Sequence, residues 1–510
     1  MTTLPQPISA ATLPASVRGH HRTGLETGLV HLGLGNFHRA HQAVYTAAAL
    51  AEEDGPWGVH AFATRSRAVV AALRDQDLLS TVVELAPGST AVTAPAVHTR
   101  ADVAADDPGL VVAAIAERRT RVVTLTVTEN GYTYAPATHR LDLDDPRVRQ
   151  DLRDGGAPVT VIGQLVRGLQ QRLRRHGAPV TILSCDNLSG NGEHTARLVR
   201  EFTAELPAAE QAELLPWLDE AVTFPSSMVD RIVPATTDAH RATVARRLGL
   251  RDRVPVPAEP FSMWVMEEAF AAGRPRWEAG GALFTDHVEP YELLKLRLLN
   301  GTHSLIAYLG ALSGAATIPD AVARPFVERA ARAVLHDEYA PTLAVPDGVD
   351  LDRYVAQLFD RWANTALGHR TSQVGSDGSV KLAQRVPEPA LFHLANGRIP
   401  QHLALTVAAY LCCLAPRPGA DPGPHAATMS DPARDRLAER SARTASTRAF
   451  VAGVLAEDHL LTPDVGADSA FVHRVAELVD VITAHGPEAA AAEAAAGAAT
   501  ATARSTANRT

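Results

Sequence analysis

Hydrophobic positions follow two different regimes along this chain. Up to about residue 290, short apolar runs alternate with stretches of helical period. The runs Gly28–Leu32, Trp57–Ala63, Arg121–Val127 and Pro179–Ser184 are mostly β-branched and predict buried parallel strands. Between them, stretches such as Val161–Leu173 place apolar residues on one helical face. That alternation predicts a doubly wound α/β domain. Beyond Pro290 the strand pattern fades. Helical periodicity over Phe326–Leu335, Leu351–Leu367 and Gln401–Leu414 predicts a mostly helical second half, with Ala415–Pro424 as a surface loop. From Gly486 onward the chain is mainly alanine. Alanine favours helix, but no large apolar face is present, so a disordered tail is expected. The predicted division is 1–285, 286–486 and 487–510.

Composition changes this picture little. The chain has 510 residues, enough for two large cores, and a net charge of −9, the opposite of a basic nucleic-acid binder. Its three cysteines, Cys185, Cys412 and Cys413, show no metal-binding or disulfide spacing. Neither a signal peptide nor a membrane span is visible, so a cytoplasmic protein without a membrane or nucleic-acid partner is expected. Oligomeric state is not legible.

Chemistry enters at two places. The first predicted strand runs into Gly33-Leu-Gly35-Asn-Phe-His38-Arg-Ala-His41. A G-x-G turn between strand and helix suits a dinucleotide. The first glycine permits the turn, and the second lets the backbone approach a pyrophosphate. His38 replaces the third glycine of the usual fingerprint. His38 and His41 lack a third ligand nearby and are expected to pack beneath the loop rather than bind metal. The second strand ends Thr64-Arg65-Ser66-Arg67, with no acidic residue for a ribose 2′-hydroxyl. The arginines fit either a 2′-phosphate or solvent, which leaves NADP open beside NAD.

The second place is Glu292-Leu-Leu-Lys295-Leu-Arg-Leu-Leu-Asn300-Gly-Thr-His303. On an α-helical wheel with Lys295 at zero, Glu292 falls near ~60°, His303 near ~80° and Asn300 near ~140°. Leucines occupy both sides of the segment, so the helix is expected to be buried. A buried lysine needs a partner or a task. The pattern fits either a core Lys–Glu pair or a desolvated lysine used as acid or base.

Together these segments resemble the zinc-independent, polyol-specific long-chain dehydrogenases, the family that includes mannitol 2-dehydrogenase and fructuronate reductase. The resemblance rests on the Gly33–Gln42 loop, Thr126-Val-Thr-Glu-Asn-Gly-Tyr132, Ser184-Cys-Asp-Asn187-Leu-Ser-Gly-Asn191-Gly192, Phe224–Pro234, Glu259-Pro-Phe and Lys295–His303. It implies an N-terminal Rossmann-type domain, a helical C-terminal domain and an active site in the cleft between them. The implied reaction is NAD-dependent hydride transfer to or from a secondary alcohol of a polyol or a sugar acid.

By resemblance, Lys295 is the general base, Asn191 and Asn300 bind the oxyanion, and His303 and Glu292 accompany them. The implied cofactor contacts are Gly33, Gly35, Asn36, Phe37, Arg39, Thr128, Glu129 and Asn187. The implied substrate contacts are Asp230, Lys381 and Arg370, and no metal is implied. Asn130 departs from both subgroups: mannitol-specific members tend to have glycine there, and fructuronate-type members lysine. The alternative to an enzyme is a non-catalytic nucleotide sensor on the same fold, against which the presence of Lys295 and both asparagines counts.

Overall fold

The computed structural model describes residues 5–19, 24–135, 138–153, 157–458 and 460–507, the last eight of these by backbone alone. It forms two compact units, residues 1–289 and 290–510.

The first unit is built on a six-stranded parallel sheet. Its strands are β1 (Thr27–Leu32), β2 (Gly58–Ala63), β3 (His98–Val103), β4 (Val122–Leu125), β5 (Val180–Ser184) and β6 (Val222–Thr223). Their order across the sheet is 3-2-1-4-5-6. This is the doubly wound dinucleotide-binding order, whose direction reverses between β1 and β4. Side chains alternate between the two faces. Val30, Leu32, Val123, Leu125 and Ile182 pack with the helices Pro108–Ala116, Val161–Arg175 and Asn191–Ala204. Leu29, Val122 and Leu183 join Trp264, Trp277 and the helix Gln42–Glu52 in a second core.

The four predicted strands are present, the first starting one residue earlier and the others trimmed by one or two residues at their ends. The two edge strands were not anticipated. β3 carries an exposed Arg100 and a buried Asp102 paired with it, and β6 is two residues long, so neither shows an apolar run.

The second unit is helical. All fourteen residues of the helix Gln401–Leu414 are buried, as expected of a segment apolar on every side. A carboxylate from another element meets its N-terminus: Glu338 accepts from the His402 and Leu403 N–H groups at 2.8 and 2.7 Å. The predicted helix Leu351–Leu367 ends earlier, at Trp362, and a short 3₁₀ turn Thr365–Leu367 follows.

Two expectations are corrected. Among the described residues, the alanine-rich tail (487–507) is helical rather than disordered. The final helix kinks at Gly486 (φ 83°), Pro487 starts its second arm, and Ala490, Ala491 and Ala494 are buried. Arg474 Nη2 donates to the Glu493 carbonyl at 2.9 Å, fastening the arm to the one before it. Methyl-sized side chains allow close helix approach, so this face packs without large apolar residues.

The second correction concerns the lysine segment. An α-helix Glu289–Leu294 passes into a π-helix over Lys295–Gly301, then back to α-helix over Thr302–Leu312. Hydrogen bonds from i to i+5 widen the turn, so the α-helical wheel positions of Asn300 and His303 do not carry over. A second π-helix, Val334–Tyr339, supports the first. A Cβ on Gly301 would overlap the ring of Tyr339, so glycine is needed for this close approach.

Candidate active site

In the first unit, a cavity of about 670 Å³ opens at the C-terminal ends of β1, β2 and β4, at the point where strand order reverses. Ligands of open α/β sheets bind there. Gly33 and Gly35 form one wall, Thr64, Arg65 and Ser66 another, and Thr128 and Asn130 a third.

Gly33 has φ +111°, and a Cβ there would overlap the Thr126 carbonyl. A Cβ on Gly35 would meet only the Gly33 carbonyl, at the ordinary distance of 3.6 Å. The protein itself therefore leaves room at Gly35, on the cavity side of the turn. Such a cradle fits the backbone approach that a pyrophosphate needs.

The other expected cofactor contacts fall into two groups. Thr128 lines the cavity, and Glu129 opens the 3₁₀ turn Glu129–Tyr132 behind it. Asn187 is exposed just beyond β5. Asn36, Phe37 and Arg39 act instead beneath the glycine turn. Arg39, 2% exposed, donates to the Gly35 carbonyl (3.2 Å), the Val254 carbonyl (2.5 Å) and Asn36 Oδ1 (2.7 Å). Burial lowers its pKa to about 10, partly opposed by Asp252. Phe37 stacks on His41.

The histidines do lie below the loop. His38 Nε2 is 3.0 Å from His98 Nε2, His38 stacks on His31, and His41 Nε2 meets the Met263 carbonyl at 3.0 Å. Of the two arginines after β2, Arg67 is exposed and paired with Asp106, while Arg65 lines the cavity.

Asn191 begins its helix fully buried, and its amide is already engaged. Nδ2 donates to the carbonyls of Asp186 (2.9 Å) and Ser227 (2.7 Å), and Oδ1 accepts from the Ser227 N–H (2.9 Å). Both of its N–H donors are thus spent on main chain. In this arrangement the amide ties the turn after β5 to the strand Ser227–Asp230, and an oxyanion role requires that one bond be released. Asp230 closes that strand and is buried.

In the second unit, Lys295 and Asn300 are half-buried on the π-helix, with Glu292 half-buried one turn before it. The Asn300 carbonyl accepts from Arg385 Nη1 at 2.9 Å, and the same nitrogen donates to Ser304 Oγ at 2.7 Å. His303 is buried, and its Nε2 has no hydrogen-bond partner among the described residues. Burial first, then the positive fields of His369, Arg385, Arg361 and Lys381, holds its pKa well below 6.5. It is a neutral imidazole with a nitrogen to spare. His369, whose ring lies 5.2 Å away, is held near 4, also mainly by burial.

The sequence offers Arg385, with Arg370 and Lys381, as a cation for a substrate carboxylate. His369 was not singled out as a site residue; it opens the polar stretch that Arg385 closes. Lys381 Nζ donates to the carbonyls of Val374 (3.2 Å) and Ser376 (2.6 Å), and Arg370 is exposed at the start of a short helix. Among the described residues, no group of three or more His, Cys, Asp or Glu side chains could hold a metal ion, and no helix is long and apolar enough to cross a membrane.

A parallel sheet in 3-2-1-4-5-6 order, with a glycine turn and a cavity at its reversal point, defines a Rossmann-type nucleotide-binding protein with a helical second unit. Residues 27–279 match the mannitol dehydrogenase Rossmann domain, and residues 287–483 match the mannitol dehydrogenase C-terminal domain. The chain belongs to the mannitol dehydrogenase family.

It is 40% identical to the D-mannonate oxidoreductase of Escherichia coli K12 over 412 residues, 79% of this chain and 83% of that one. It is 37% identical to a mannitol 2-dehydrogenase of Cereibacter sphaeroides over 393 residues, 76% of this chain and 80% of the relative. The structure of the Pseudomonas fluorescens mannitol 2-dehydrogenase, a ternary complex with NAD and D-mannitol, superposes with a TM-score of 0.83 at 32% identity, covering 96% of this chain and 99% of that one.

Proposed function

We propose that this protein is a zinc-independent, NAD-dependent oxidoreductase acting on a secondary alcohol of a linear polyol or an aldonate. The observation that carries the reading is the match of both units to the family, together with Lys295, Asn300 and His303 on one continuous helical segment.

The first unit's glycine cradle and the cavity walls at Thr64–Ser66 and Thr128 bind the dinucleotide. When bound, the nicotinamide supplies the hydride acceptor for alcohol oxidation and the donor for the reverse reaction. Lys295, as a neutral amine, takes the hydroxyl proton. Glu292 passes that proton onward to water. The Asn300 side-chain amide donates to the oxygen as charge develops on it, a contribution typically worth ~3–4 kcal/mol in the transition state. Arg385 holds the main chain at Asn300 and so fixes where that amide starts. The spare His303 nitrogen hydrogen-bonds a substrate hydroxyl. Asn191 joins the oxyanion site if one of its carbonyl bonds is exchanged for the substrate oxygen. Asp230, Lys381 and Arg370 supply contacts to the remaining substrate groups.

Turnover of mannitol, sorbitol, arabinitol, mannonate and altronate with NAD and with NADP tests the reaction class. Lys295→Ala tests the base. Its kcat should fall about 10²–10⁴-fold while the NADH dissociation constant stays within about threefold. Unchanged turnover would remove Lys295 from the mechanism, and absence of turnover on all five substrates with either cofactor would remove the reading.

A further inference from the structure

One cavity wall is held in a conformation its sequence does not favour. Thr128 has φ 62° and ψ 166°. This region is populated almost only by glycine, and a β-branched residue there is strained. The residue lines the cavity directly after β4, beside the glycine turn that follows β1. Gly131 N–H closes the turn on the Thr128 carbonyl at 2.9 Å.

Something must hold that backbone. Asp186, 8% exposed at the end of the neighbouring strand β5, is placed to do so. Its Oδ1 accepts from the Thr128 N–H at 2.8 Å. Its Oδ2 accepts from the Val127 N–H at 3.0 Å and from the Tyr132 hydroxyl at 2.8 Å. The carboxylate thus grips the two consecutive peptide N–H groups that lead into the strained residue and, through the Tyr132 hydroxyl, the far end of the turn. No ion-pair partner is seen for it among the described residues; these three donors offset part of the cost of burial, which still raises its pKa above the usual carboxylate value. Its main-chain carbonyl is in turn held by Asn191 Nδ2 at 2.9 Å.

We propose that Asp186 is a positioning residue for the cofactor: it clamps the Val127–Tyr132 turn so that Thr128 presents its wall of the cavity in binding-ready form. The clamp explains how a threonine occupies a position whose backbone would suit glycine. The proposal rests on the cavity being the dinucleotide site, and the experiment separates the two claims.

NADH binding is measured by fluorescence titration of the full-length wild type and of Asp186→Asn, Thr128→Gly and the double variant, with Tm recorded for each. Failure of the wild type to bind NADH overturns the cofactor reading itself. Given wild-type binding, Asp186→Asn points an amide N–H at a main-chain N–H and should weaken NADH about ten- to a hundredfold. Thr128→Gly, which adopts the bend without strain but removes a side chain of the cavity wall, sets the reference for the double variant. In the double variant glycine no longer needs the clamp, so its NADH affinity should lie within about threefold of that of Thr128→Gly. A lowered Tm with unchanged NADH affinity in Asp186→Asn would make the residue merely structural and overturn the proposal. So would a double variant that falls below Thr128→Gly by the same factor as Asp186→Asn falls below wild type. If Asp186→Asn does not fold, Tyr132→Phe, which removes one of the three donors, is compared with and without Thr128→Gly. A loss of about two- to fivefold that disappears in the Thr128→Gly background supports the clamp, and no loss, or an equal loss in that background, overturns it.

Discussion

Acid should destabilise the first unit through histidines buried in neutral form. His31 is fully buried between Thr124 Oγ1 (2.8 Å) and Thr126 Oγ1 (2.9 Å), and burial pushes its pKa down to about 3. His98 is lowered to about 4, first by burial and then by Arg39, and it shares a hydrogen bond with His38, itself well below 6.5. That His38–His98 contact uses one N–H and one lone pair, and a proton added to the accepting nitrogen would set two donors against each other.

The sign follows from linkage. In the unfolded chain these rings titrate near ~6.5, so below that pH the unfolded state binds more protons. The stability due to neutral burial is complete above pH 6.5 and is lost as pH falls from there toward 3–4. At pH 5 the folded rings are still largely neutral, so the cost is set by the unfolded value alone: about 1.5 pH units at ~1.36 kcal/mol each, or ~2 kcal/mol per histidine. His31 and His98 together contribute about 4 kcal/mol, a large part of ordinary domain stability.

Urea unfolding followed by tryptophan fluorescence at pH 7 and pH 5 reads this loss. Four of the five tryptophans, Trp57, Trp217, Trp264 and Trp277, report on the first unit. His98→Gln keeps a hydrogen-bonding group beside His38 but removes one titrating ring. It should shrink the pH 7 to pH 5 difference by about 2 kcal/mol. An identical pH dependence in His98→Gln and wild type would refute the reasoning.

Two further outcomes are expected. Gly33→Ala sets a Cβ against the Thr126 carbonyl at φ +111° and should abolish measurable NADH binding and lower the Tm; retained affinity would show that the turn is not the cradle. Glu338→Gln turns an acceptor at the N-terminus of Gln401–Leu414 into a donor and should cost about 1–2 kcal/mol, read as a lower Tm, with NADH affinity unchanged; an unchanged Tm would argue against the cap.

What the sequence determined by itself was local. Short β-branched apolar runs and period-3.6 patterns located four of the central strands and helices such as Gln401–Leu414, because burial on one face or on all sides leaves its mark on neighbouring positions. The glycine turn was legible for the same reason: Gly33 answers to the backbone geometry of its own few residues. Tertiary structure decided what depends on distant partners. The polar edge strand β3 exists because β2 offers it a ladder. The alanine-rich arm is ordered because small side chains let it pack closely and Arg474 fastens it. The lysine segment is a π-helix resting on Gly301 and Tyr339, which an α-helical wheel could not foresee. The spent amide of Asn191, the open nitrogen of His303 and the grip of Asp186 on Thr128 each join segments far apart in the chain. Hydrogen-bond bookkeeping of this kind belongs to three-dimensional neighbours, and no spacing along the sequence encodes it.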